Sequence, residues 1–418
     1  MCSPRSECST GRVVELPGLG TRAVTSASNH LRLTVEIVQG ATIGVILSLL
    51  TACDRIPPDV PGVTRADSAG VQVITSGARD TALAWTFEEV GVLQDSAGAP
   101  YLFTNVLGTH VLTDRAGRAY VLTRDPAIVR FGREGREELT LGRRGGGPGE
   151  FQFPIAIGAQ GDTVWAYDAA KRALVRFNPD LSSAGDRRLD GALAEAQLLS
   201  FRPGGLWFRR TDLVGDTLQV TGVYADTAGS APLRRAATRL GGAVDFGCIG
   251  VPSAAALFAP QVAMHAAGPR LLVNDQPGYE LWLYEGPRPI ASIRRPLPPR
   301  APTAADVRLL YPDGMRIGVP GRAPCVVPVE ELVAKQGLSA QMPFVFDVVL
   351  LADATMWALR TPRTAEPVVD VFGSDGVYAG TMRERGLPLG RYPNGDLLFA
   401  RADAESGGTV LVRVKVKR

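Results

Sequence analysis

The chain has 418 residues, of which 45% are hydrophobic and 21% charged, with 45 basic residues against 42 acidic and a net charge of +3. That is a globular composition. Its basic residues alternate with acids, as in Arg133-Glu-Gly-Arg136-Glu137-Glu138, where a nucleic-acid binder would cluster them into a stripe, so no nucleic-acid partner is expected. With 47 glycines and 31 prolines it is turn-rich without being low in complexity.

Residues 1–53 read as dispensable to the fold. The first 30 are Ser-, Thr-, Gly- and Arg-rich without apolar periodicity, and Ile43-Gly-Val-Ile-Leu-Ser-Leu-Leu-Thr-Ala-Cys53 follows. An apolar core of about ten residues is signal-peptide length, well short of the ~20 that span a bilayer. Leu50-Thr51-Ala52-Cys53 resembles a bacterial lipobox. That resemblance implies acylation of Cys53, cleavage before it and a membrane anchor. The leader carries few positive charges and a long preceding stretch, which a start near Val24 or Leu31 would explain. Residues 54–66, with Pro57, Pro58, Pro61 and Gly62, are expected to be a flexible tether.

Once Cys53 is acylated, Cys248 and Cys325 remain as an even pair in loop-like surroundings. In an oxidising compartment a disulfide is the natural expectation. Closing so long a loop would stabilise the fold by ~4 kcal/mol on the chain-entropy model; two buried free thiols are the alternative. Neither cysteine has a second ligand at the spacing a zinc site uses.

From Asp67 on, strand-like segments follow one another at short intervals. Val71–Thr75 is read as a strand, then Ala84-Trp-Thr-Phe87 and Val90-Gly-Val-Leu93. Helical candidates are confined to residues 192–199 and 328–334. A repeat then emerges: Gly117-Arg-Ala-Tyr-Val-Leu-Thr123, Ile128-Val-Arg-Phe131 and Glu138-Leu-Thr-Leu141 make a turn and three strands. Its echoes end their third strands at Phe177, Tyr224, Tyr284, Phe372 and Val414. The shorter intervals match the ~40–50 residues of a propeller blade. The long interval before Phe372 is read as an insertion around residues 296–346. The sixth copy runs out of chain before an outer strand, so an N-terminal strand, assigned to Val71–Thr75, should close the ring. The expected fold is an all-β, six-bladed β-propeller over residues 67–418, with seven blades as the alternative.

Between the first two copies lies Gly142-Arg-Arg-Gly-Gly-Gly-Pro-Gly-Glu-Phe-Gln-Phe-Pro154. Such a run is no helix and a poor strand. It should cross between blades, with Gly145, Gly147, Pro148 and Gly149 shaping the chain and Glu150 accepting loop amides. Phe151 and Phe153 would plug the blade interface. Backbone amides at 145–149 with Arg143 and Arg144 could instead cradle an anion. The Lys-Ser/Thr and following helix of a nucleotide loop are missing.

Asp114-x-x-Gly117-x-x-Tyr120-Val, the strand ending at Phe131 and the Gly-Pro-Gly-Glu-Phe motif resemble the six-bladed, NHL-like propellers of bacterial envelopes. The similarity is sharp over residues 67–180. It implies an exported propeller and little chemistry. The metal-dependent lyases of NHL-like type need several histidines, and only His110 and His265 remain beyond the leader. Calcium-dependent lactonase-type propellers place oxygen ligands at the channel mouth, where Asn105, Glu150, Asp168, Asn274 and Asp347 are the candidates. No serine-nucleophile elbow is present, and no catalytic residue is nominated. The resulting expectation is a monomeric, lipid-anchored binding or scaffold module without a resident cofactor, facing an envelope protein or small ligand. A calcium-dependent hydrolase is the alternative.

Overall fold

A computed structural model describes residues 62–418 apart from 105, 161–162, 190–196, 203–204, 227–228, 276, 319–323 and 363–365. Six four-stranded antiparallel meanders succeed one another. The innermost strands are Val111–Thr113, Pro154–Gln160, Gln197–Arg202, Ala263–Ala267, Asp347–Leu350 and Gly390–Arg391. The protein is a six-bladed β-propeller.

Side-chain alternation holds the ring together. Each blade is buried on both faces, so its strands read as nearly continuous apolar runs and successive residues feed opposite interfaces. In blade five, Val348 and Leu350 join the core shared with blade four, whereas Val349 and Leu351 join the core shared with blade six. In blade one, Ala119 and Val121 pack toward blade six while Tyr120 and Leu122 pack toward blade two. The third-strand residues Phe131, Phe177, Tyr224, Tyr284, Phe372 and Val414 are all buried. That is why their spacing reveals the blades.

Closure differs from the sequence expectation in which strand performs it. Blade six takes its outer strand from Thr86–Val92, antiparallel to Thr409–Lys417. Val71–Thr75 instead lies parallel to Arg288–Arg294, on the outer edge of blade four. Thr64–Ser68 pairs with it as a hairpin, so residues 64–66 belong to the sheet and not to the tether. The apolar pattern of Val71–Thr75 specifies a half-buried strand but not its neighbour, and the Ile74 side chain fits the blade four–five core.

Residues 62–92 therefore form a belt along three blades. Between its two sheet segments it meets blade five, where Leu83 N donates to Thr381 O at 3.0 Å and Thr381 N donates to Thr81 O at 2.8 Å. Arg295, just after blade four, clamps this crossing. Its fully buried guanidinium donates to Asp370 Oδ2 at 2.6 Å, to the carbonyls of Gly77, Ala78 and Arg79, and to Asp80. It also stacks 3.8 Å above the Tyr378 ring. Asp370 accepts further bonds from Tyr279 and Thr381. This meets the requirement that a buried ion pair be fully hydrogen-bonded. Burial, then the Asp370 charge, pushes the Tyr279 hydroxyl well above its ordinary pKa.

Two connections are enlarged. Residues 296–346, the expected insertion, carry helices Ala304–Leu310 and Val329–Gln336 and the hairpin Met315–Ile317/Cys325–Val327. The second of these helices matches the candidate at 328–334. The other candidate is overturned where it is described, since its residues from 197 on are strand. Residues 240–262, between blades three and four, are a second insertion unannounced in the sequence. The two share a satellite core of Phe246, Leu257, Val307, Val327 and Leu332. Cys248 and Cys325 are bonded across it, Cα atoms 5.7 Å apart. Cys53 and the leader lie outside the described residues.

Candidate loop-face cleft

In a four-stranded meander the entry to strand one, the hairpin between strands two and three, and the exit from strand four share one end. That end carries both insertions and residues 142–153; we call it the loop face.

The glycine-rich loop folds back on itself. Phe151 N donates to Arg143 O at 2.8 Å and Gly145 N to Phe151 O at 2.9 Å. Glu150 closes the bend, its Oε2 accepting Gly147 N at 2.8 Å and its Oε1 accepting Arg143 Nε at 2.8 Å. These partners, Gly147 first and Arg143 second, hold the Glu150 carboxyl below its usual range. Gly142, at φ +71, has the Phe151 ring where a Cβ would go, and at Gly145 the Glu150 carboxylate fills that space. Phe151 is fully buried in the blade one–two core.

Blade two pins the loop from below. Asp168, fully buried at the end of Thr163–Asp168, accepts Gln152 N at 2.6 Å, Phe153 N at 3.1 Å and Lys171 N at 2.9 Å. Lys171 Nζ donates to Gly147 O at 2.9 Å and Glu150 O at 3.1 Å, and forms an ion pair with Asp186. Four anchored residues thus fix the direction of Phe153. Contrary to expectation it does not plug the interface: it is 62% exposed. The turn back to Pro154 sends alternate residues to opposite sides, and Phe151 has taken the interior one.

Phe153 borders a cleft of about 930 Å³ that also includes His110, Leu107, Arg124, Pro126, Arg144 and Ile155. Three connections build it: the loop itself, the entry to blade one at Gly108–His110, and blade one's hairpin after Leu122. Thr109 Oγ1 donates to Ile155 O at 3.2 Å and ties entry turn to loop. His110 Nδ1 accepts Leu107 N at 3.4 Å, which leaves the proton on Nε2. Burial pushes this imidazole's pKa down. The side chain of Arg144 is 68% exposed and 3.9 Å from Asp125.

Four of the five oxygen-ligand candidates lie among the described residues. Glu150 and Asp168 spend their carboxylates on loop amides. Asn274 ends a blade-four strand and donates to Gly278 O and Glu280 O. Asp347 starts the innermost strand of blade five, where it opposes the burial that lowers the pKa of His265 and of Arg209. Asn105 lies outside the described residues. Among the described residues no three His, Cys, Asp or Glu side chains form a metal-ligating group. His265, half-buried, accepts Leu350 N through Nδ1 at 3.2 Å. The sequence pointed at the loop as a crossing, whereas Arg124, Pro126 and Leu107 carry no local signal of a shared cleft.

No family model and no curated protein matches the chain. Similar solved structures include one from Bacteroides fragilis named "Putative exported protein", at 11% identity and TM-score 0.48, covering 83% of this chain and all of that one. Virginiamycin B lyase from Staphylococcus aureus is similar at 9% identity and TM-score 0.39, covering 79% and 99%. BamB from Moraxella catarrhalis is similar at 12% identity and TM-score 0.31, covering 84% and 99%. At these identities and scores none of them assigns an activity to this chain.

Proposed function

We propose that this propeller is a monomeric ligand-binding module of a bacterial envelope, exported and held to a membrane by lipid on Cys53, with the loop face as its binding surface. The observation that carries it is the Phe153 cleft: an open space walled by three connections that buried side chains hold rigid. Rigid rings commonly place function on their loops. The signal-like run ending in Leu-Thr-Ala-Cys53, the bonded Cys248–Cys325 pair and the resemblance of residues 67–180 to NHL-like envelope propellers support the same reading.

Two measurements test it. Labelled palmitate should enter the full-length protein expressed in a bacterium, and Cys53→Ala should abolish incorporation; label that persists removes the anchor. For binding, naphthylacetamide, a neutral aromatic probe, should shift amide resonances of residues 104–110, 122–126 and 144–155. Shifts confined to other surfaces would dismiss the cleft.

A further inference from the structure

The charge around the cleft is one-sided. Its wall includes two arginines, Arg124 and Arg144, and His110, and no aspartate or glutamate. Arg124 is exposed and has no ion pair among the described residues. Arg144 has only the 3.9 Å approach to Asp125, whose side chain is 97% exposed, and so weak a surface pair is easily exchanged for a better partner. Two further acids beside the loop have other partners: Glu150 is taken by Gly147 and Arg143, and Asp168 by the amides of Gln152, Phe153 and Lys171. Beside these cations lie apolar surfaces of Leu107, Phe153, Pro126 and Ile155. An exposed aromatic next to unneutralised guanidinium groups offers two kinds of contact at once: ring stacking for an apolar body and charge-assisted hydrogen bonds for an anionic head.

Resting on the reading of the cleft as the binding surface, we propose that its ligand class is an amphiphilic carboxylate: an organic acid whose aromatic or apolar body packs on Phe153 while its carboxylate meets Arg124 and Arg144. A bare inorganic anion would leave the apolar wall uncovered, and a neutral aromatic would leave the guanidinium groups unused. His110 contributes as a neutral group. Its Nδ1 is turned to the Leu107 amide and its Nε2 bears a hydrogen, so it adds a donor and no competing acceptor to the wall.

The test compares naphthylacetate with naphthylacetamide, which share one aromatic body and differ in charge, with acetate as the bodiless anion. Titration of the full-length protein by calorimetry or amide shifts should show the acid binding about tenfold more tightly than the amide, the scale of one charge-assisted hydrogen bond. Acetate should bind too weakly to measure. In the Arg124→Ala/Arg144→Ala double variant the acid should fall to the affinity of the amide. Phe153→Ala should weaken both probes by a similar factor. All three side chains are exposed, so the variants are expected to fold, and circular dichroism checks that. Equal binding of acid and amide, or acid binding unchanged in the double arginine variant, overturns the carboxylate assignment and leaves the cleft as a binding site. If neither probe binds, the cleft reading itself falls.

Discussion

Two irregular segments cross between blades in this ring, and they are held in opposite ways. The glycine-rich loop at 142–153 is fixed by many small contacts: carboxylates capping its own amides, a lysine under its carbonyls and one buried phenylalanine. The belt at 62–92 is gathered between its two lengths of sheet mainly at one buried guanidinium, Arg295, beside a short backbone bridge to Thr381. Distributed anchoring leaves room for an exposed residue such as Phe153 to be aimed. Concentrated anchoring serves closure, where only the position of the chain matters.

The comparison makes its sharpest demand at Arg295. Arg295→Ala should cost about 3–5 kcal/mol, because Asp370 would remain buried with only the 3.5 Å approach of Arg360 as counter-charge. A denaturant midpoint indistinguishable from wild type would show that the belt is not hung on this residue. Next comes Gly142→Ala, which forces a side chain into a left-handed backbone and into the Phe151 ring. A loss of about 2–3 kcal/mol is expected from displaced core packing, read in the same titration.

Smaller again is Asp168→Ala. It strips the amides of Gln152, Phe153 and Lys171 of their acceptor, at about 1–3 kcal/mol. Distributed anchoring further predicts that this variant loosens Phe153 while the Phe151 contact survives, visible as faster amide exchange at Gln152, Phe153 and Lys171 but not at Phe151. The mildest test is acid. The Glu150 carboxyl is held below its ordinary value of 4.5 by Gly147 and Arg143, so its contribution is present above pH 4.5 and lost as pH falls through the lowered folded-state value. Protection of the Gly147 amide should decline in that window in wild type and be pH-independent in Glu150→Gln. Identical profiles would remove Glu150 from the clamp.

How legible each region was follows from the range of its contacts. Blade spacing could be read because burial on both faces forces an aromatic or branched residue at every third-strand position, a local demand repeated six times. The loop could be read because glycine and proline state their backbone requirements in place. Phe153 was misassigned because Phe151 and Phe153 look equivalent until the Asp168 cap fixes which one turns inward. Val71–Thr75 was given the wrong neighbour since a strand's own pattern says nothing about which free edge it joins. Thr86–Val92 was read as two pieces around a pairing irregularity at Glu89 and Gly91. Arg295 gave no signal, its partners being spread from residue 77 to residue 370. The cleft wall was hidden for the same reason, as three connections must be folded before it exists.

The pairing of Thr86 with Lys417 has a consequence for the order of assembly. Thr86–Val92 has no partner until residues 409–417 have been made. Until then the belt can dock on blade four and cross blade five only provisionally, and blade six exposes an unpaired edge. Because such distant contacts must overcome chain entropy before they reward it, ring closure should be the slow event in folding. Thr86–Val92 is thus the final lock, and loss of residues 409–417 would leave it without a partner.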